Sequence, residues 1–221
     1  WAFQMSYAVE VQERPRDLGR GPVNEETRMV RKVAVSSFLG NFIEWFDYAS
    51  YSYFATTIAT VFFPASDRTV ALMQTFGVFA LSFILRPVGA QFWGSFGDKH
   101  GRKGALSASI LLMSGASFLI GCLPSYEVIG LAAPALLLLL RMVQSFSASG
   151  EYAGAATFLG EYSPTSRRGL YCSLIPASTA IGLLAGSTIA SIMTANLSGV
   201  ALAGWGWRIP FLLAGPLGVI V

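Results

Sequence analysis

The chain has 221 residues, 53% of them hydrophobic and only 12% charged, against about 25% charged in soluble domains. Fifteen Lys and Arg against twelve Asp and Glu leave a net charge of +3, with no basic face on a soluble domain for nucleic acid to contact. The balance is that of a membrane protein and excludes a nucleic-acid partner.

Residues 1–32 are polar and mixed in charge, with Arg14, Arg16, Arg20, Arg28, Arg31 and Lys32 among Glu10, Glu13, Asp17, Glu25 and Glu26. They lack the apolar core and small-residue cleavage site of a signal peptide. They read as a disordered cytoplasmic tail whose basic end anchors the first helix at the inner surface. Trp1 in place of Met points to a fragment or an unusual start.

A bilayer core needs roughly 20 apolar residues per helix. Five such runs follow in order: Val33–Phe63, Val70–Gly97, Gly104–Leu123, Leu131–Gly160 and Leu170–Thr194. A sixth starts near Ile209 and is too short by Val221 to span, so the chain is expected to stop within that helix. The fold class is all-α, a membrane bundle, with no strand alternation. Pro87 and Pro176 are expected to kink their helices.

Cys122 and Cys172 fall at opposite membrane faces on this layout and are expected as packing residues, not a disulfide. The tail, the turn at Asp98–Lys103 and the turn at Arg167–Arg168 are basic, whereas the alternating loops carry just Arg68 and Arg208. The basic excess marks the cytoplasmic side, so the amino terminus is expected inside. Trp205 and Trp207 beside Arg208 fit an outer interfacial belt. Gly182-x-x-x-Gly186 lets another backbone approach closely, either within this bundle or from a second one.

Ionisable groups within a span cost about 2.5–3.5 kcal/mol each and usually mark a pathway or a pair. Glu44, Asp47, Arg86, Arg141 and Glu151 all fall inside the apolar runs. On the first helix Asn41, Glu44, Asp47, Tyr48 and Tyr51 share one polar face at 100° per residue. On the fourth, Arg141, Gln144, Ser145 and Tyr152 lie on one side with Glu151 at its edge. Counting rise per residue from the membrane faces puts Asp47 and Arg141 near the midplane. Arg86, Glu44 and Glu151 fall one level toward the cytoplasm. The arithmetic predicts two clusters, Asp47 with Arg141 and Arg86 with the two glutamates. Static pairing would lock helices together; the surrounding Asn, Gln, Ser and Tyr favour a wetted cavity instead. Trp45, Phe46, Tyr48 and Tyr51 are aromatic candidates for holding an onium group by cation–π contact, Trp45 and Phe46 being better placed toward lipid or a neighbouring helix. The lone histidine, His100, lies in a turn, and no H-E-x-x-H, G-x-S-x-G or Walker loop appears. The chain does not read as an enzyme, and no metal or cofactor is expected beyond a proton as coupling ion.

Several segments carry a family likeness. They are Gly40-Asn-Phe-Ile-Glu44-Trp-Phe-Asp47-Tyr, Arg86-Pro-Val-Gly89, Gly94-Ser-Phe-Gly-Asp98-Lys-His-Gly101-Arg102-Lys103, Arg141-Met-Val-Gln144, Gly150-Glu151-Tyr152, Glu161-Tyr-Ser-Pro-Thr-Ser-Arg-Arg168-Gly169 and Trp205-Gly-Trp-Arg208-Ile-Pro210. From Val33 to Val221 the chain resembles the amino-terminal six-helix half of a major facilitator superfamily transporter. Within the superfamily it resembles the metabolite:proton symporters, most of all the proline/betaine type. The resemblance implies a secondary transporter in a bacterial inner membrane, its partners being the lipid bilayer, a small metabolite, a proton and a carboxyl-terminal six-helix half. Asp47 and Arg141 would couple the proton. Asn41, Glu44, Tyr48, Tyr51, Arg86, Gln144, Ser145, Glu151 and Tyr152 would line the substrate cavity. Gly94, Asp98, Gly101, Arg102, Glu161 and Arg168 would form the cytoplasmic gate, with Asp98 capping a neighbouring helix start.

Where relatives commonly read Q-G-x-S-x-G-G-E, this chain has Ser145 and Ser149 in place of two glycines. Extra hydroxyls are therefore expected near the site. The fifth-helix glycine and proline pattern of drug antiporters is absent, which favours symport. A dicarboxylate, ketoglutarate, citrate or aromatic-acid carrier is the alternative within the class; an inactive truncated half is the alternative outside it.

Overall fold

The computed structural model describes residues 23–64, 67–149, 159–160 and 163–220, and every regular element among them is helical. Helix α1 (Val23–Tyr53) begins upstream of the expected Val33. Hydropathy locates where a chain enters lipid, whereas Glu25, Glu26, Arg28, Met29, Arg31 and Lys32 are good helix formers that carry the helix out into water. Glu25 and Glu26 near its start also suit the helix dipole. A single turn residue, Phe54, separates α1 from α2 (Ala55–Phe62), and backbone hydrogen bonds run across it.

Asp67 caps α3 (Arg68–Ser82) by accepting a 2.7 Å hydrogen bond from the Thr69 amide. A 3₁₀ turn at Phe83–Leu85 then leads directly into α4 (Arg86–His100). Pro87 cannot donate a backbone hydrogen bond and crowds the turn before it, so the irregularity falls one turn upstream. Gly101, at φ +92°, reverses the chain into α5 (Arg102–Cys122), a backbone conformation glycine adopts at little cost. Short α6 (Tyr126–Ile129) precedes α7 (Ala132–Ala148), and α8 (Arg168–Asn196) runs through Pro176 as one helix. The last two helices are α9 (Gly199–Gly204) and α10 (Ile209–Ile220).

Among the described residues, three stretches, Arg68–His100, Gly104–Cys122 and Thr165–Asn196, are long and apolar enough to cross a membrane. Solvation of the bundle is inverted relative to a soluble protein. Leu81, Ile84, Leu111, Leu119, Leu139, Leu184 and Ile192 point outward, while Ser37, Ser50, Thr75, Ser117, Arg141 and Gln144 are buried. Apolar outside and polar inside is the arrangement lipid demands.

Helix α1 packs most extensively on α8; α10 lies against α5 and α1, and α7 against α3, α4 and α5. The α1–α8 contact explains Gly182 and Gly186. A Cβ on Gly182 would sit 2.7 Å from the Phe42 carbonyl oxygen, and one on Gly186 would sit 2.6 Å from the Ala49 Cβ. The small-residue face therefore serves this bundle. Gly89 does the same between α4 and α7, since a Cβ there would collide with the Phe146 carbonyl and the Ser149 hydroxyl.

An apolar core gathers around Tyr51, Phe54, Ile58, Phe62, Leu137, Trp207 and Phe211. Trp207 departs from the interfacial belt expected of it. Trp205 is exposed, but Trp207 is fully buried, its ring 5.4 Å from Phe62 and 6.0 Å from Phe211. The 3₁₀ turn Gly206–Arg208 swings it inward and lets Arg208 donate to the carbonyls of Leu123, at 2.7 Å, and Gly121, at 3.3 Å. Both cysteines are free; Cys122 is exposed and so is not the packing residue expected, and Cys172 is half-buried.

Candidate functional site

Residues 141 and 144 are one turn apart on α7, so both side chains project from the same face toward α1. Nη1 of Arg141 donates to Oδ2 of Asp47 and to Oε1 of Gln144, the latter at 3.0 Å. Nε2 of Gln144 in turn donates to Oδ1 of Asp47 at 3.1 Å and to the Ser117 hydroxyl at 2.5 Å. Both Asp47 oxygens are thereby held from a single turn of α7. Arg141 is 1% exposed and Asp47 4%. The guanidinium face lies 3.9 Å from the Tyr51 ring centroid, with Phe79 and Phe211 beyond. Its Nε and Nη2 have no hydrogen-bond partner among the described residues.

A second ion pair sits one turn toward the amino-terminal end of α1. Arg86, the first residue of α4, donates through Nη2 to Oε1 of Glu44 and to the Tyr48 hydroxyl. The Tyr48 hydroxyl donates to the same carboxylate oxygen at 2.8 Å. Glu44 is buried, but the Arg86 side chain is 32% exposed. The structure thus brings together Asp47 with Arg141 and Glu44 with Arg86.

Between α1, α5 and α7 lies a narrow cleft with room for about one water, lined by Glu44, Asp47, Tyr48, Met113, Ser117, Gln144 and Ala148. Sites for whole metabolites usually measure about 300–1,000 Å³, so this bundle by itself presents part of a site. Both acids and Gln144 reach one cleft, as their shared helix faces imply.

Other candidates lie elsewhere. Asn41 turns to α8, where its Nδ2 donates to the Ile175 carbonyl and to the Ser178 and Thr179 hydroxyls. A polar face wider than the cleft was bound to bring some of its members against a neighbouring helix. Tyr51 is fully buried in the apolar core and donates to the Thr75 carbonyl at 2.9 Å. Ser145 pairs with Ser82 at 3.1 Å, and Ser149 bonds back to Phe146 of its own helix. The two serines in place of family glycines spend their hydroxyls on packing and do not line the cleft. Glu151, Tyr152 and Glu161 lie outside the described residues, as does the Arg102 side chain. Gly94, Asp98, Gly101 and Arg168 are exposed at the ends of α4, α5 and α8. Asp98 has no hydrogen bond or ion pair to another described residue, so no helix cap by it is seen among them.

Sequence reasoning missed Met113, Ser117 and Ala148 as cleft residues, and Phe79 and Phe83 as aromatic neighbours of the ion pairs. Ser117 left a usable signal: with Ser114 it places two hydroxyls one turn apart in the otherwise apolar second half of α5. Among the described residues, no group of three His, Cys, Asp or Glu stands close enough to hold a metal.

Residues 32–221 match the model of a family described as sugar (and other) transporter. The chain is 42% identical over 191 residues to the glycine betaine/proline/ectoine/pipecolic acid transporter of Dickeya dadantii (strain 3937), covering 86% of this chain and 38% of the relative. It is 40% identical to the proline/betaine transporter of Escherichia coli (strain K12), with the same coverage. The alpha-ketoglutarate permease of the same strain is 40% identical, covering 89% of this chain and 46% of the relative. Less than half of each relative's length is therefore spanned. Among solved structures, the bundle is similar to a major facilitator superfamily proton:xylose symporter at TM-score 0.75 and 15% identity, covering 88% of this chain and 44% of that one. That likeness concerns the fold.

Proposed function

Because the chain belongs to the sugar (and other) transporter family of the major facilitator superfamily, we propose that it forms the amino-terminal six-helix half of a proton-coupled symporter. Its substrate is a small carboxylate-bearing or zwitterionic metabolite of the proline and betaine type. The host membrane is a bacterial inner membrane with the amino terminus in the cytoplasm, and a carboxyl-terminal half completes the binding site. The chain is not an enzyme.

One observation carries this reading: the Arg141–Asp47–Gln144 network, buried in the bundle and opening on a polar cleft. A pair kept only to tie helices together gains from satisfying every donor, since each unpaired buried group costs about 1–3 kcal/mol. Nε and Nη2 of Arg141 have no hydrogen-bond partner among the described residues. A proton on Asp47 removes the charge that holds the guanidinium, which is then free to take a substrate carboxylate with those donors. Alternating access of two halves about a central site carries proton and substrate across. Each charge moved down the potential supplies about 2.3 kcal/mol per 100 mV. Gly94, Asp98, Gly101, Arg102, Glu161 and Arg168 serve as the cytoplasmic gate of this cycle, supported by the tight turn at Gly101 between α4 and α5.

The test is Asp47→Asn in the full transporter, reconstituted in proteoliposomes with an imposed pH step. Exchange of labelled proline or glycine betaine survives, while concentrative uptake is lost. Unchanged accumulation would refute the coupling scheme. A second reading, a dicarboxylate carrier, draws on the likeness to the alpha-ketoglutarate permease. Labelled ketoglutarate in the same vesicles separates the two.

A further inference from the structure

Three aromatic rings pack on one another beside the Glu44 carboxylate. Tyr48 meets Phe79 edge-on at 5.4 Å, Phe79 meets Phe83 at 5.1 Å, and Tyr48 lies 5.9 Å from Phe83. Trp45 closes the far side of Tyr48 at 5.7 Å. The rings already hold a cation: the Arg86 guanidinium carbon is 4.5 Å from the Phe83 centroid and 5.5 Å from that of Tyr48. Aromatic faces with a carboxylate form the setting that attracts onium ions, through ring quadrupole and charge together.

We propose that the faces of Tyr48 and Phe83, backed by Phe79 and closed by Glu44, are the subsite for the cationic head of the substrate, and that Arg86 is its occupant in the empty carrier. The proposal rests on the zwitterion reading above and adds to it the residues that recognise the ammonium.

Three observations support an exchange of cations at this point. Arg86 is 32% exposed where Arg141 is 1%, so one guanidinium has an open side and the other has none. Nε of Arg86 has no partner among the described residues, which leaves it less firmly tied than a fully bonded arginine. Arg86 and Phe83 also flank the 3₁₀ turn, where the regular helical hydrogen-bond ladder is interrupted. Replacing one monovalent cation by another leaves the charge beside Glu44 unchanged, so the buried carboxylate is never left unpaired. Register fits as well. Glu44 and Asp47 are three residues apart on α1, a rise of about 4.5 Å. A small zwitterion can then place its carboxylate at Arg141 and its ammonium in this subsite.

The experiment compares glycine betaine with 3,3-dimethylbutanoate, which has the same shape with carbon in place of the charged nitrogen. Each is titrated as an inhibitor of labelled glycine betaine uptake by the full transporter. Wild type is expected to prefer betaine by about tenfold or more, the range of a partly desolvated cation–π contact assisted by a carboxylate. Phe83→Leu keeps apolar bulk and is expected to cut that preference about three- to tenfold, whereas Phe83→Tyr retains it. Should Phe83→Leu fail to reach the membrane, Phe79→Leu reads the same ratio. Equal inhibition by the two compounds in wild type, or an undiminished preference in the leucine variant, overturns the proposal while zwitterion transport stands. Absence of any betaine or proline uptake by wild type overturns the zwitterion reading, and the subsite with it.

Discussion

Alanine at Gly182 should loosen the bundle at its most extensive helix contact, and the structure sets the size of the effect. The new Cβ meets the Phe42 carbonyl oxygen at 2.7 Å, the Phe46 nitrogen at 3.1 Å and the Trp45 Cβ at 3.1 Å. None of these atoms can rotate away, because two are backbone and the third is fixed to it. Ordinary contact begins near 3.4 Å, so α8 must retreat from α1 by about 0.7 Å. Forcing an extra carbon into a packed interior costs about 1–3 kcal/mol. Gly186→Ala meets the same helix at Ala49 and Phe46 and should cost a similar amount. The double variant should cost less than the two together, since one retreat of α8 relieves both clashes. Gly115→Ala is the control. Nothing lies within 4 Å of its new Cβ, and replacing a mid-helix glycine by alanine gains up to about 1 kcal/mol. Reversible unfolding in mixed detergent–SDS micelles gives each difference. If Gly182→Ala unfolds at the same SDS fraction as Gly115→Ala, the close approach of α1 and α8 is wrong.

Trp207→Ala removes a fully buried ring packed on Phe62 and Phe211 and should cost about 3–5 kcal/mol in the same assay. Arg208→Gln withdraws a charged donor from the Gly121 and Leu123 carbonyls at the end of α5. A loss of about 1–2 kcal/mol is expected, the lower part of the range for charge-assisted bonds, because the group is only half-buried. Arg141→Lys keeps the charge but has no planar fork with which to reach Asp47 and Gln144 together. The apparent KM for a carboxylate substrate should rise about tenfold or more, a change seen in initial uptake rates.

The features most legible in the sequence were those whose cost in lipid is high. Charges inside apolar runs demand partners, so Asp47 with Arg141 and Glu44 with Arg86 followed from depth and helix face before any coordinates. Spacing alone does not say which neighbour a polar face meets. Asn41 shares the face of Glu44 and Asp47, yet its amide is spent on the Ile175 carbonyl and two α8 hydroxyls. Tyr51 likewise ends in the apolar core, supplying a ring to Arg141 instead of a wall to the cleft. Trp207 misled for a different reason. An aromatic beside an arginine at a span end has the composition of an interfacial belt, and only the 3₁₀ turn at Gly206–Arg208 reveals that the ring turns inward. Serine hydroxyls are the hardest to place, since any of them can bond back to its own helix. Ser149 does so, Ser145 pairs with Ser82, and Ser117 alone of the three faces the cleft.

The two ion pairs divide their labour by burial, and that division bears on how a half-bundle like this one can be emptied and refilled. Arg141 is sealed, with one edge on Asp47 and Gln144 and its face on Tyr51. In this closed arrangement a proton can reach Asp47 without moving a helix, and its arrival would free Arg141 for a substrate carboxylate. Arg86 stands a third exposed at the start of α4, where a whole side chain can swing and a bulky cation can take its place. On the proposed scheme, a sealed pair that answers protons and an open pair that answers solute, one turn apart on the same face of α1, would place both coupling events on one helix. A proton on Asp47 and an onium at Glu44 then bear on the same helix, so each can change the free energy of the other without a long-range relay.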